Sequence, residues 1–226
     1  RLNFELSKAG FSFSYFRGYD PFYGFNVVEV EWVEFAPIIS NSATPYLKNT
    51  LGADYTVPLG SWIARGEFAY NMTTNYENEM HIPFPDLQYV LGLEKNFGGF
   101  ITIFQYIGKY TLDFEDLQEP ILLDPLNPMA QAQYATEMIY YESSLFNRKI
   151  FYQQEEMNHA LFLTISRSFA YDNWNAEISG YYNLTSKEYL IRPKLNWKIT
   201  DALSACAGLS YMHGPEGSLF DYSGPV

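Results

Sequence analysis

Trp62 and Tyr70 stand eight residues apart on one face of a segment that alternates with period two. Ala64, Gly66 and Phe68 share that face between them, while Ile63, Arg65, Glu67 and Ala69 take the other. Trp174 and Tyr182 repeat the spacing around Ala176, Ile178 and Gly180, and Tyr189 and Trp197 repeat it around Ile191 and Leu195. Such alternation predicts β-strands with two unlike faces. Eight residues cover roughly 26 Å of strand, which at a tilt of about 40° rises roughly 20 Å. That is close to an apolar band about 25 Å tall, flanked by aromatic rings at both water–lipid boundaries. A soluble core has no reason to put its largest rings at both ends of its strands.

The same period runs through 50–57, 87–94, 100–110 and 203–211, and Phe11, Phe13 and Tyr15 alternate with Ser12 and Ser14 near the start. Short turns are expected at Pro58-Leu59-Gly60-Ser61, Asn96-Phe97-Gly98-Gly99, Tyr171-Asp172-Asn173 and Thr200-Asp201, where Gly, Asn and Asp supply backbone freedom. Longer polar stretches lie between them, at 71–86, 111–156 and 213–226, while the shorter 184–187 connection departs from this scheme. Short turns at one end and long loops at the other suit a membrane barrel. The expected fold is all-β: one domain over 1–226, an antiparallel up-and-down transmembrane β-barrel. About eight to ten strands are visible, and the intact barrel is expected to be larger.

Three segments depart from simple strands. The 111–156 insertion opens with Asp113, Glu115, Asp116, Glu119 and Asp124; Asn127-Pro128 then reads as a helix cap and first turn, predicting a helix over 128–146. In 19–44, Asp20-Pro21 breaks structure and Val27–Phe35 alternates as a strand that disturbs the up-down order. Pro193 falls mid-strand on the apolar face and predicts a bulge or an exposed edge.

The face opposite the aromatic pairs carries Asp54, Arg65, Glu67, Glu94, Glu177, Arg192 and Lys194. In a membrane barrel these line a wet lumen, either as a selectivity lining or simply as polar stitching of the wall. In a soluble, lipocalin-like barrel the apolar face turns inward and the same charges are surface. The aromatic spacing and the loop asymmetry favour the membrane.

A net charge of −12 argues against nucleic-acid partners and against a polybasic membrane anchor. Cys206 is the single cysteine, so there is no intrachain disulfide and no Cys/His zinc pattern. No run of about 18 apolar residues predicts a transmembrane helix. The opening Arg1-Leu2-Asn3-Phe4 has no signal-peptide pattern, as expected of a processed chain. His81, His159 and His213 have no nucleophile placed beside them by any motif, and Ser143 and Ser144 fall in the expected helix, so no enzyme is expected. The acidic run 113–124 lacks EF-hand spacing and its glycine, so no metal or cofactor is expected. Asn71-Met72-Thr73 and Asn183-Leu184-Thr185 match glycosylation triplets, which occur often by chance.

The runs Ser14-Tyr15-Phe16-Arg17-Gly18-Tyr19-Asp20-Pro21, Trp62-Ile63-Ala64-Arg65-Gly66-Glu67, Pro85-Asp86-Leu87-Gln88-Tyr89-Val90-Leu91-Gly92, and Ile191-Arg192-Pro193 through Thr200-Asp201-Ala202-Leu203 with Gly214-Pro215 and Leu219-Phe220, resemble those of porin-like outer-membrane proteins of Gram-negative bacteria. The resemblance implies a barrel in the cell outer membrane, in contact with lipid, that lets small solutes diffuse or be transported. It brings no catalytic residues. Such proteins finish on a strand ending in an aromatic residue, whereas this chain ends Asp221-Tyr222-Ser223-Gly224-Pro225-Val226, so a closing strand is expected to be missing. The alternatives are a structural barrel that sheathes or anchors a protein partner or a second copy, and a soluble ligand-binding β-barrel.

Overall fold

A computed structural model describes residues 1–33 and 36–221. Its main sheet is built from β1 (Leu2–Leu6), β2 (Ala9–Tyr19), β5 (Leu47–Leu59), β6 (Trp62–Met72), β7 (Asp86–Phe97), β8 (Phe100–Thr111), β9 (Met157–Phe169), β10 (Trp174–Asn183), β11 (Tyr189–Thr200), β12 (Leu203–Gly208) and β13 (Tyr211–His213). Every pairing is antiparallel, and neighbours in space follow chain order, with β12 and β13 sharing the last position beside β11. Among the described residues, β1 pairs only with β2, and β12 only with β11.

One excursion interrupts this order. β3 (Gly24–Val33) and β4 (Ala36–Thr44) form a separate two-stranded hairpin between β2 and β5. The strand expected at Val27–Phe35 is therefore real up to Val33, and its last two residues lie outside the described residues. It does not disturb the up-down order, because the hairpin leaves the sheet and the chain returns to pair β5 with β2.

The 111–156 insertion contains α1 (Pro128–Ile150), four residues longer than the helix expected to end at 146. Asn127 caps it by accepting the Met129 amide. The added turn carries Arg148 and Lys149, cations placed where the helix carbonyls end. The strand expected over 203–211 is split, and the split answers Pro193. The β11–β12 register stops at Lys194, the β11–β13 register starts at Ile191, and the Leu209 amide donates to the Pro193 carbonyl at 3.1 Å. Pro193 has no N–H to offer, so the last strand breaks beside it.

The turns are local. Gly60 takes φ +64° between β5 and β6, whereas Ala170, Tyr171 and Asp172 all take positive φ between β9 and β10 without a glycine. Across the sheet, the Tyr55 ring lies over Gly66 and the Tyr89 ring over Gly108; a Cβ at either would fall 2.1 Å and 2.2 Å from ring carbons. Those glycines let large rings lie flat on the sheet.

Candidate functional site

Register assigns every strand residue to one of two faces, because direct cross-strand partners point the same way. One face is apolar and exposed: Leu51, Phe68, Leu91, Phe104, Leu163, Ile178 and Leu195 are each more than a third exposed. All six aromatic residues expected at the membrane boundaries lie on it. At the end with short turns, Trp174 stacks on Trp197 with ring centroids 4.9 Å apart, and Trp62 meets Phe97 at 5.6 Å. At the loop end, Tyr182 and Tyr189 are direct partners, and Tyr70 aligns with Leu51 and Leu87.

Two cations share the turn end of this face. Lys95 lies over the Trp62 and Phe97 rings at 4.6 and 4.8 Å, and Arg167 lies over Phe100 at 4.6 Å. Their stems run along apolar rings while their charges sit at the face's edge. Tyr106 and His159, polar residues on the same face, hydrogen-bond each other at 2.7 Å.

The other face is polar, and all seven expected lining residues lie on it. Arg65 pairs with Glu94 at 2.9 Å. Asp54 faces Glu67 across β5 and β6, binds Arg1 at 2.9 Å and accepts a short hydrogen bond from Ser12. Glu177 faces Lys194 across β10 and β11, and Arg192 faces Ser179. The seven form two groups, not one ring. β8 and β9 separate them with Ile103, Ile107 and Phe162, which lie on the same face.

A third polar group lies at the loop end of this face. Lys48 pairs with Asp20 at 2.5 Å, and Lys109 pairs with Asp86 at 2.9 Å. Asn71 donates to Asp86 at 2.7 Å, and Thr50 donates to Asn71 at 2.7 Å. The segment after α1 folds over this cluster. Lys109 donates to the Phe151 carbonyl at 2.6 Å, and Gln153 reaches Asp86 at 3.3 Å while clasping both the N–H and the C=O of Phe84 at 3.0 and 2.8 Å. A cavity of about 230 Å³ remains between these groups and Tyr46. Burial alone would raise the Asp20 carboxyl. The Lys48 ammonium and the Phe22 amide outweigh it and hold the carboxyl below the usual carboxylate range. Burial pushes the Tyr46 hydroxyl up, and the Asp20 and Asp86 charges push it further.

α1 is clamped from its other side. Asn147 accepts the Phe25 amide at 2.8 Å and donates to the Phe25 carbonyl at 2.7 Å, and Trp32 donates to Thr136 at 3.2 Å. The hairpin, α1 and the 151–153 segment thus form one block over the loop end of the polar face. No protein-family model matches the chain, and no curated protein does.

Of the remaining residues singled out in the sequence, Asp113 accepts the Tyr76 hydroxyl at 2.9 Å, and the Glu115 carbonyl accepts Arg148 at 2.5 Å. His81 is buried in the 71–86 loop, and His213 packs its ring on Tyr189 at 5.4 Å. The loop-end cluster was not anticipated. A usable signal exists: Lys48, Asp86 and Lys109 each occupy a polar-face position within two residues of a strand's loop end.

Proposed function

We propose that the chain forms a β-barrel in the outer membrane of a Gram-negative cell and conducts small polar solutes passively along its polar face. The observation that carries this reading is the inequality of the two faces. The apolar face is bounded by aromatic rings at both ends, with Lys95 and Arg167 at one margin where headgroups would meet them. The face that the insertion folds over carries ion pairs and amides. A soluble ligand-binding barrel would reverse this, with apolar residues inside and charges outside. In such a barrel the block formed by α1 and 151–153 would narrow the passage at the loop end, since it already lies over the polar cluster there.

Fractionation tests the location and planar-bilayer recording tests the conduction. The protein is expected in the outer-membrane fraction, soluble only with detergent, and to give discrete conductance steps. Recovery in the soluble fraction, or a silent bilayer with folded protein incorporated, contradicts the proposal.

A further inference from the structure

The apolar face of the main sheet carries cations but no acids. Register places no Asp or Glu of its described strands on that face, while Arg17 stands there at the loop end and Lys95 and Arg167 at the turn end. The Glu156 carboxylate reaches the face only at the loop end, where it accepts the Tyr110 hydroxyl at 3.1 Å. Among the described residues, neither Lys95 nor Arg167 pairs with a carboxylate. Lys198, at the same end of the sheet but on the polar face, does pair, with Asp201 at 2.7 Å.

Lys95 and Arg167 also stand close together. Phe97 of β7 and Phe100 of β8 are direct cross-strand partners, which puts their Cβ atoms about 5 Å apart. Lys95 lies over Phe97 at 4.8 Å and Arg167 over Phe100 at 4.6 Å, so the two charges sit over neighbouring rings. The turn beside them is Gly98-Gly99, which has no side chains to cover the site, and a Cβ on Gly99 would fall 3.9 Å from the Arg167 Nε. Toward the middle of the sheet, Leu93 and Phe104 are direct partners on the same face, and both are exposed. Two like charges side by side repel each other, and one anion between them removes that cost.

We infer that this margin binds one anionic phospholipid, its phosphate held between Lys95 and Arg167 and its acyl chains laid over Leu93 and Phe104. The inference rests on the membrane location proposed above and is independent of conduction. A zwitterionic headgroup fits less well, because its ammonium would meet two cations and no carboxylate. A soluble anion would meet the same charges but gain nothing from the apolar residues next to them. Arg167 brings planar N–H donors that match phosphate oxygens, and Lys95 adds a point charge on a flexible stem.

The test is native mass spectrometry of the full chain in detergent, offered an equimolar mixture of phosphatidylglycerol and phosphatidylcholine with the same acyl chains. The expected result is retention of phosphatidylglycerol over phosphatidylcholine by roughly tenfold or more, as two cations near an anionic headgroup should give. The double variant Lys95→Gln, Arg167→Gln, checked for unchanged heat-modified gel migration, should bring the preference near unity. The charge-preserving pair Lys95→Arg, Arg167→Lys should keep it, and so should Lys198→Gln. Equal retention of the two lipids overturns the inference and leaves membrane insertion standing. So does a preference that the double Gln variant keeps, or one that Lys198→Gln abolishes equally. Displacement of phosphatidylglycerol by an equal concentration of glycerol 3-phosphate overturns the lipid as occupant. A chain that stays folded and monodisperse without detergent overturns the membrane location, and the inference with it.

Discussion

At the scale of single residues, the polar groups at the loop end are arranged to satisfy one another. Asp86 accepts from Asn71, Gln88, Gln153 and Lys109, and each partner comes from a different strand or loop. Removing one member leaves buried donors or acceptors unmatched, which costs about 1–3 kcal/mol per group. Asp20 has a testable pH signature. Its folded-state pKa lies below that of the unfolded chain. The sign follows: its contribution is fully present above about pH 4 and is lost as pH falls through the folded value. The protection of the Asp20 amide relative to intrinsic exchange, which rests on its 3.0 Å bond to the Tyr46 carbonyl, should fall below about pH 4 while that of amides in mid-β7 does not. In Asp20→Asn that pH-dependent loss of protection should disappear, and the loop end should be less protected already at pH 7. That Asp54, Arg65, Glu67, Glu94, Glu177, Arg192 and Lys194 share the face opposite the apolar set could be read from parity alone. The pairing of Arg65 with Glu94 could not, because they belong to different strands and only the register brings them together.

At the scale of elements, strands with unlike faces were legible and strands with like faces were not. β6, β7, β10 and β11 alternate sharply and were found with nearly their observed bounds. β9 places Leu161, Leu163 and Ile165 on one face and Ala160 and Phe162 on the other, so its period is blurred. β1 has only five residues, and β4 carries Ser40, Asn41, Ser42 and Thr44, which suit a loop as well as a strand. Hence the described residues hold 13 strands where about eight to ten are expected. The hairpin hid the simplest fact about the topology, that β2 and β5 are neighbours. Because the main sheet makes no use of β3 or β4, replacing residues 24–44 with a short Gly/Ser linker should leave the sheet intact. The expected outcome is an unchanged β-sheet circular dichroism spectrum and heat-modified migration, with weaker protection in α1, which loses the Phe25 clasp on Asn147. Loss of the sheet signal would show that the hairpin nucleates the β2–β5 pairing.

At the scale of the whole molecule, the account depends on which face meets lipid. Alternation is symmetric under exchange of inside and outside, so the sequence supports both a membrane barrel and a soluble one until the ends of the strands are considered. The proposed membrane reading rests on the aromatic rows, the cations lying over them and the polar block over one end of the other face. The most direct measurement is site-directed spin labelling along β7 in reconstituted bilayers, in a Cys206→Ser background, with a single cysteine placed in turn at residues 88 to 94. Collision with oxygen, which concentrates in lipid, and with a water-soluble nickel complex should alternate residue by residue. Labels at Tyr89, Leu91 and Leu93 should favour oxygen, and those at Gln88, Val90, Gly92 and Glu94 should favour the nickel complex. The reversed alternation, or nickel access at every position, would contradict the account.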